Sequence, residues 1–251
     1  MTKRTARAEP LSRERIVRTA IELLDAAGAR KLTFRALTER LSTGPGAIYW
    51  HVANKDELLG AATDAVVADA VSVEPAAGDT PREAVRSVAL GLYEATEAHP
   101  WLATQLAAQF AREPWGSVAP RIFEALGRQV RAMGVPESGW FTATSALMHY
   151  IFGVAGQNAA NSDMAGDLPE GETRAEFLEA ASRAWEALDP AAYPFTRAVA
   201  DQIRDHDDRE QFLAGVDLVL TGIVASVPGS ASGAADGAGS GSGSAEGSGS
   251  F

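Results

Sequence analysis

Apolar residues recur at three- and four-residue intervals along most of the chain and rarely alternate strictly with polar ones, so the pattern predicts helices rather than strands. Ile16, Ala20, Leu23, Leu24 and Ala27 form the first stripe, with Ser12 placed as its N-cap and Gly28 as its end. Two shorter segments follow from a cap at Thr33, packed through Ala36, Leu37, Leu41 and Ile48 and separated by a break at Ser42, Thr43 and Gly44. Asn54, with Glu57 three residues later, predicts a capping box opening a fourth helix that carries Leu58, Leu59, Ala62, Ala65, Val66 and Ala70. Pro75, Gly78 and Pro81 then interrupt the pattern and place a domain boundary near 56–80.

Beyond the boundary everything reads as helix. A stripe of Val85, Val88, Leu92 and Ala95 covers 81–98, His99-Pro100 bends the chain, and a helix over 99–111 follows. After a loop at Pro114, Trp115 and Gly116 comes an amphipathic helix over 117–133, ended by Gly134. Residues 137–160 form the longest apolar helix, with Trp140, Phe141, Leu147, Met148, Ile151 and Phe152. A polar loop at 164–173 leads to helices near 174–187 and 191–205, separated by Asp189-Pro190. The last helix, 208–226, places Phe212, Val216, Val219 and Ile223 on one stripe with Gly215 and Gly222 beside it. Leu213, Leu218 and Leu220 make it apolar almost all round, which predicts burial, either in its own domain or against a second copy.

The pattern therefore predicts an all-α protein: a flexible basic arm (1–10), a three-helix domain (11–60), a larger helical domain (61–227) and a Gly/Ser-rich disordered tail (228–251). Residues 229–250 hold eight Gly and seven Ser and have nothing to bury. The arm carries Lys3, Arg4 and Arg7, suited to phosphate contacts or simply to solvent. Hydrophobic residues at 46% build a real core, and the absence of cysteine excludes disulfides, thiol nucleophiles and cysteine metal sites. No apolar run is long enough to span a membrane, so a cytoplasmic protein is expected. The net charge of −11 is segregated: residues 1–60 hold eleven Lys/Arg against seven Asp/Glu, leaving the acidic excess to the rest. A local basic face is what DNA phosphates require, whatever the whole-chain charge.

Two short helices with a tight turn, followed by a sharp exit, read as a helix-turn-helix whose second helix lies in the DNA major groove. On spacing alone an αα-hairpin of any helical protein fits as well. The exit, Tyr49-Trp50-His51-Val52 and then Asn54-Lys55-Asp56-Glu57-Leu58-Leu59, decides between them. With LTFRALTERL before it, segment 11–60 resembles the DNA-binding domain of the TetR family of bacterial repressors, and YWHV-x-NK with the late FLAGVDLVLTGI helix resembles its tetracycline-repressor branch. The resemblance implies a ligand-responsive repressor on a palindromic operator, a homodimer through the 137–160 and 208–226 helices, and an effector site in the larger domain. Arg35 would reach a base edge, Thr33, His51 and Lys55 would hold phosphates, Tyr49 would meet backbone or a thymine methyl, and Trp50 would pack between the helices. Thr43, Gly44, Pro45 and Gly46 at the recognition helix depart from that branch, lacking its glutamine base contact and leaving more to DNA shape.

At the branch's ligand positions this chain has Val71, Val88, Leu92, Leu106 and Gln157, so the metal-binding histidine has become leucine and the acidic ligand an amide. An apolar effector without a metal chelate is expected, an antibiotic or polyketide-like compound being one class that fits, with no cofactor. Trp101, Phe110, Trp115, Trp140, Met148 and His149 lie near the site, with Gln109, Gln157 and Asn158 as polar anchors; each aromatic taken alone reads equally as core. His51, His99, His149 and His206 show no metal spacing and no nucleophile motif is present, which argues against an enzyme. The remaining alternative is a helical small-molecule-binding or interaction protein with no DNA role.

Overall fold

The computed structural model describes residues 10–72, 78–165 and 173–227, in which every regular element is helical. The predicted tail, all but Pro10 of the arm, and most of the 164–173 loop lie outside the described residues.

Helix α1 (Arg13–Lys31) starts where Ser12 accepts the Arg15 N–H at 3.2 Å. Gly28, at φ 71° and ψ 170°, breaks it as expected, but a further turn carries on to Lys31, so the helix does not stop at Ala27. Helix α2 (Phe34–Leu41) is capped by Thr33, whose Oγ1 accepts the Ala36 N–H at 3.1 Å. The turn into α3 (Pro45–Tyr49) pivots on Ser42 at φ 51° and ψ 47°, rather than on Gly44. Ser42 N–H reaches the Glu39 carbonyl and Thr43 N–H the Thr38 carbonyl at 3.1 Å, the bond pattern that closes a helix through one left-handed residue. Helix α4 (Lys55–Ala70) is capped by Asn54, which accepts the Glu57 N–H at 2.8 Å. The expected capping box is displaced by one residue: Glu57 reaches back to the Ala53 N–H at 2.8 Å and also pairs with Arg13.

Ile16, Ala20, Leu24, Leu32, Leu37, Ile48, Val52 and Leu58 are all 0–1% exposed and form the core of this small domain. At roughly 1.5–3 kcal/mol for each fully buried large aliphatic side chain, that core outweighs every cap and surface ion pair around it.

Helix α4 packs on α1 and then runs against α5 (Pro81–Ala98), α6 (Trp101–Arg112) and α7 (Val118–Ala132). It thus belongs to both domains. At its crossing with α5, a Cβ on Gly91 would lie 2.2 Å from the Ala70 carbonyl oxygen, so the two backbones meet directly. A short 3-10 turn (Glu137–Gly139) opens into α8 (Trp140–Ala165), longer than the expected 137–160. Val85, Leu92, Leu102, Leu106, Ile122, Leu126, Val130, Leu147 and Ile151 fill the larger core, closed by Phe212, Val216 and Leu220 of α11 (Asp208–Ala225).

Three expectations are corrected here. After α9 (Arg174–Glu186), the predicted 191–205 helix starts late, with Pro194 at its first position, and splits after Ala198 into α10 (Pro194–Ala198) and a 3-10 turn (Ala200–Ile203). Helix α11 is not buried all round: Leu218 is 75% exposed. Its glycines do different things, since a Cβ on Gly215 would strike the Tyr150 hydroxyl at 1.9 Å, while Gly222 faces open space.

Candidate nucleic-acid interface and effector domain

The α2–α3 unit leaves a set of side chains pointing away from its core. Phe34 at the start of α2 stacks on Tyr49 at the end of α3, with ring centroids 4.6 Å apart and planes 10° from parallel. That stack ties the beginning of one helix to the end of the other and leaves Tyr49 53% exposed. Trp50 is 90% exposed, so it does not pack between the helices as the resemblance implied; Ile48 and Val52 on either side take the interior positions instead. Arg35 sits on the first turn of α2 with its side chain 86% exposed, held only by Glu39 one turn on, at 2.9 Å. An exposed i,i+4 pair of this kind is worth a few tenths of a kcal/mol (about 0.3–0.5), so the guanidinium is readily given up to a stronger anion.

Gly44, Pro45 and Gly46 lie exposed at the start of α3, and a Cβ on either glycine would meet nothing within 4 Å. Thr43 and His51 are half-buried at the two ends of that strip. Thr33 is exposed, with its hydroxyl oxygen used as the α2 cap. Lys55 is engaged inside the domain: its Nζ donates to the Ala29 carbonyl at 2.7 Å, tying α4 to the turn after Gly28. Glu57 stays ionised well into acid, because its bonds from the Ala53 N–H and Arg13 hold its carboxyl below the usual range. It therefore holds the α4 start to α1 as a charged group.

The residues singled out in the larger domain do not all come together. Val88, Leu92, Trp101, Leu106 and Met148 are buried in one continuous core, with Val71, Phe110 and Trp140 half-buried against it. Phe110 meets Phe152 edge-on at 5.0 Å. Trp140 donates its indole N–H to the Val135 carbonyl at 2.7 Å and lies under Arg131, which explains it as a local anchor. Gln109 lines a cleft of about 160 Å³ with Leu59, Gly60 and Arg112, where α4 crosses α6. Trp115 is 81% exposed, and His149 and Gln157 lie on the outer face of α8, so these three line no closed cavity here. Asn158 is buried and donates to Glu97 at 3.3 Å. Sequence reasoning missed Asp25, which accepts bonds from His99 and Trp101; partners more than seventy residues away leave no local signal.

A third surface is apolar. Val135, Pro136, Thr142, Ala146, Val219 and Gly222 line an open groove of about 570 Å³ between α8 and α11, with Phe141 (74% exposed) on α8 and Leu218 (75% exposed) on α11. Among the described residues no helix is long and apolar enough to cross a membrane.

Known proteins share this layout. The chain is 31% identical over 152 residues to an HTH-type transcriptional regulator of Saccharopolyspora erythraea, a match covering 60% of this chain and 63%, under two thirds, of that relative. The solved structure of a transcriptional regulator described as a TetR from Streptomyces coelicolor is 72% identical, with a TM-score of 0.79, covering 86% of this chain and 99% of that one. The Streptomyces coelicolor protein ActR, solved in complex with actinorhodin, is 26% identical, with a TM-score of 0.70, covering 88% of this chain and 99% of that one. Residues 16–62 match the model of bacterial regulatory proteins of the tetR family, and 74–227 match the tetracyclin repressor-like C-terminal domain; the chain belongs to the TetR family.

Proposed function

We propose that this chain is a ligand-responsive, sequence-specific DNA-binding regulator of the cytoplasm, a repressor released from a palindromic operator by a largely apolar effector. The observation that carries the reading is the outward set of Arg35, Tyr49 and Trp50, presented by a helix-turn-helix on a well-filled core. Arg35 supplies a bidentate donor fork suited to guanine, while Tyr49, Trp50 and the bare Gly44–Gly46 strip lie against the sugar-phosphate backbone. Thr33, Thr43 and His51 flank the same surface. Lys55 gives one of its three ammonium N–H groups to the Ala29 carbonyl, which fixes the angle of α4 and leaves two for a phosphate.

The homodimer forms through α8 and α11, where Phe141 and Leu218 would otherwise stay in water. Two copies then present two α3 helices about 34–36 Å apart, or a multiple, as a palindrome requires. The effector is read as apolar and free of metal because Val88, Leu92 and Leu106 offer no ligating atom; the actinorhodin complex of ActR supports a polyketide-like class. It acts by its difference in affinity between two arrangements of the reading heads. The chain is read as a regulator and not an enzyme.

A gel shift with the DNA flanking its own gene tests this, run with wild type, Arg35→Ala and Tyr49→Ala. Wild type binds a discrete site and each variant weakens binding at least fivefold, and a panel of hydrophobic antibiotics includes one that releases the DNA. Equal binding by wild type and both variants would instead favour a helical ligand-binding protein without a DNA role.

A further inference from the structure

The joint between α5 and α6 is tied to α1 by a single oxygen atom. His99 closes α5, its N–H on the Ala95 carbonyl at 2.9 Å, and Trp101 opens α6, with the Leu102 N–H returning to the His99 carbonyl at 2.8 Å. Both side chains aim across the domain boundary at Asp25. Trp101 Nε1–H donates to Asp25 Oδ1 at 2.7 Å, and His99 Nδ1 lies 2.7 Å from the same oxygen. Trp101 is only 7% exposed, so the one polar atom of a buried indole is spent on the reading domain. The space beside this joint is open. A cleft of about 420 Å³ lined by Gly28, Arg30, Thr104 and Gln105 flanks it on one side, and one of about 270 Å³ lined by Ile21, Val66, Asp69 and Ala95 on the other. The Trp101 ring is packed in the core, but open space on both sides of the joint leaves the bonds to the carboxylate as its polar tie to α1. Asp25 stands one residue beyond Leu24, which is buried in the core under α2 and α3.

We infer that Asp25 is a positioning residue, a latch that makes the DNA-reading head follow the α5–α6 joint of the effector domain. The inference rests on the regulator reading and names how its two domains communicate. A shift of either His99 or Trp101 lengthens a bond to the shared oxygen and pulls on α1 directly, in addition to any push through α4.

Two measurements on the full chain test it. In ¹⁵N spectra, the Trp101 indole N–H is identified by its loss in Trp101→Phe. It should shift slightly in His99→Gln and markedly in Asp25→Asn, which changes its own acceptor. Because the chain has no cysteine, Ala53→Cys with Arg128→Cys allows one spin-label pair per protomer, diluted with unlabelled protein. The distance distribution between the two labels should broaden in Asp25→Asn and Trp101→Phe, narrow partly again in Asp25→Glu, and stay as in wild type in Val130→Ala, which loosens the core of α7 and not the latch. DNA affinity should fall about three- to tenfold in Asp25→Asn, the scale of one or two hydrogen bonds. A distribution in Asp25→Asn that coincides with wild type overturns the latch, even where DNA binding is normal; a broadened one, where wild type itself binds no DNA, upholds the latch and sinks the regulator.

Discussion

Replacing Gly91 by alanine should displace the DNA-reading head without touching it. A Cβ at this position would lie 2.2 Å from the Ala70 carbonyl oxygen and 3.2 Å from its carbon. Ordinary contact needs about 3.4 Å or more, and the obstacle is backbone, so no rotamer change removes the clash. The helices must part by about 1 Å at the crossing. Ala70 is the last residue of α4, and α4 is 16 residues long, which at 1.5 Å per residue is about 24 Å. If α4 pivots about its middle, held there by α1, a 1 Å displacement over a 12 Å arm tilts it by about 5°. The reading head at the other end then moves by about 1 Å, and the spacing between two heads of a dimer by about 2 Å. Overpacking costs about 1–3 kcal/mol, and removing a mid-helix glycine returns up to about 1 kcal/mol, so the net loss of stability is about 0–2 kcal/mol. Urea unfolding gives the stability change, and titration of labelled operator gives the affinity, which should fall at least threefold. If the variant matches wild type in both, α4 and α5 do not meet backbone to backbone and the lever argument fails.

Three further outcomes follow from particular contacts. Trp50→Ala should leave thermal stability within about 0.5 kcal/mol of wild type, because the ring is 90% exposed, while weakening operator binding; a loss of 3–5 kcal/mol would mean the ring is buried after all. Leu218→Glu should turn the dimer into a folded monomer by sedimentation, since Leu218 is 75% exposed in the protomer; an intact dimer would place the interface elsewhere. Burial pushes the Asp217 carboxyl up, but its bonds to Arg86 and Arg82 pull it further down, so the net shift lowers it. A depressed carboxylate contributes stability above its unfolded value of about 3.9 and loses it as pH falls through the folded value. Its side chain is about a third exposed, so roughly 0.5–1 kcal/mol is at stake after screening, and Asp217→Asn should show a smaller drop in unfolding free energy between pH 6 and pH 3 than wild type.

The helices and their order were legible because each carries a stripe, a cap or a breaker within its own residues. Ser12, Thr33 and Asn54 all cap as their chemistry demands. What escaped was decided by partners far along the chain. The break at Ser42, Thr43 and Gly44 was legible, but not that Ser42 rather than the glycine takes the left-handed turn, closed by the Ser42 and Thr43 N–H bonds. Gly215 and Gly222 look alike in sequence, yet only Gly215 is met by Tyr150. Trp50 sits in an aromatic run that suggests packing, and the Phe34–Tyr49 stack takes that place instead. The effector residues were only partly brought together, since burial alone does not distinguish a core aromatic from a cavity wall.

The recognition helix poses the sharpest physical question. Glycine inside a helix costs about 0.5–1 kcal/mol relative to alanine, and α3 is only five residues long with Gly46 at its second position. Gly44 stands outside the helix as its N-cap, where glycine is well tolerated. Gly46 has no left-handed backbone and a side chain there would meet open space, so its cost is met by no contact within the chain. On the regulator reading the benefit lies outside the chain, where Gly44 and Gly46, on either side of the Pro45 ring, let backbone come close to a groove wall. Sequence reading then falls to Arg35 at one edge of the strip and to the shape of the DNA, while Tyr49 and Trp50 at the other edge hold the backbone.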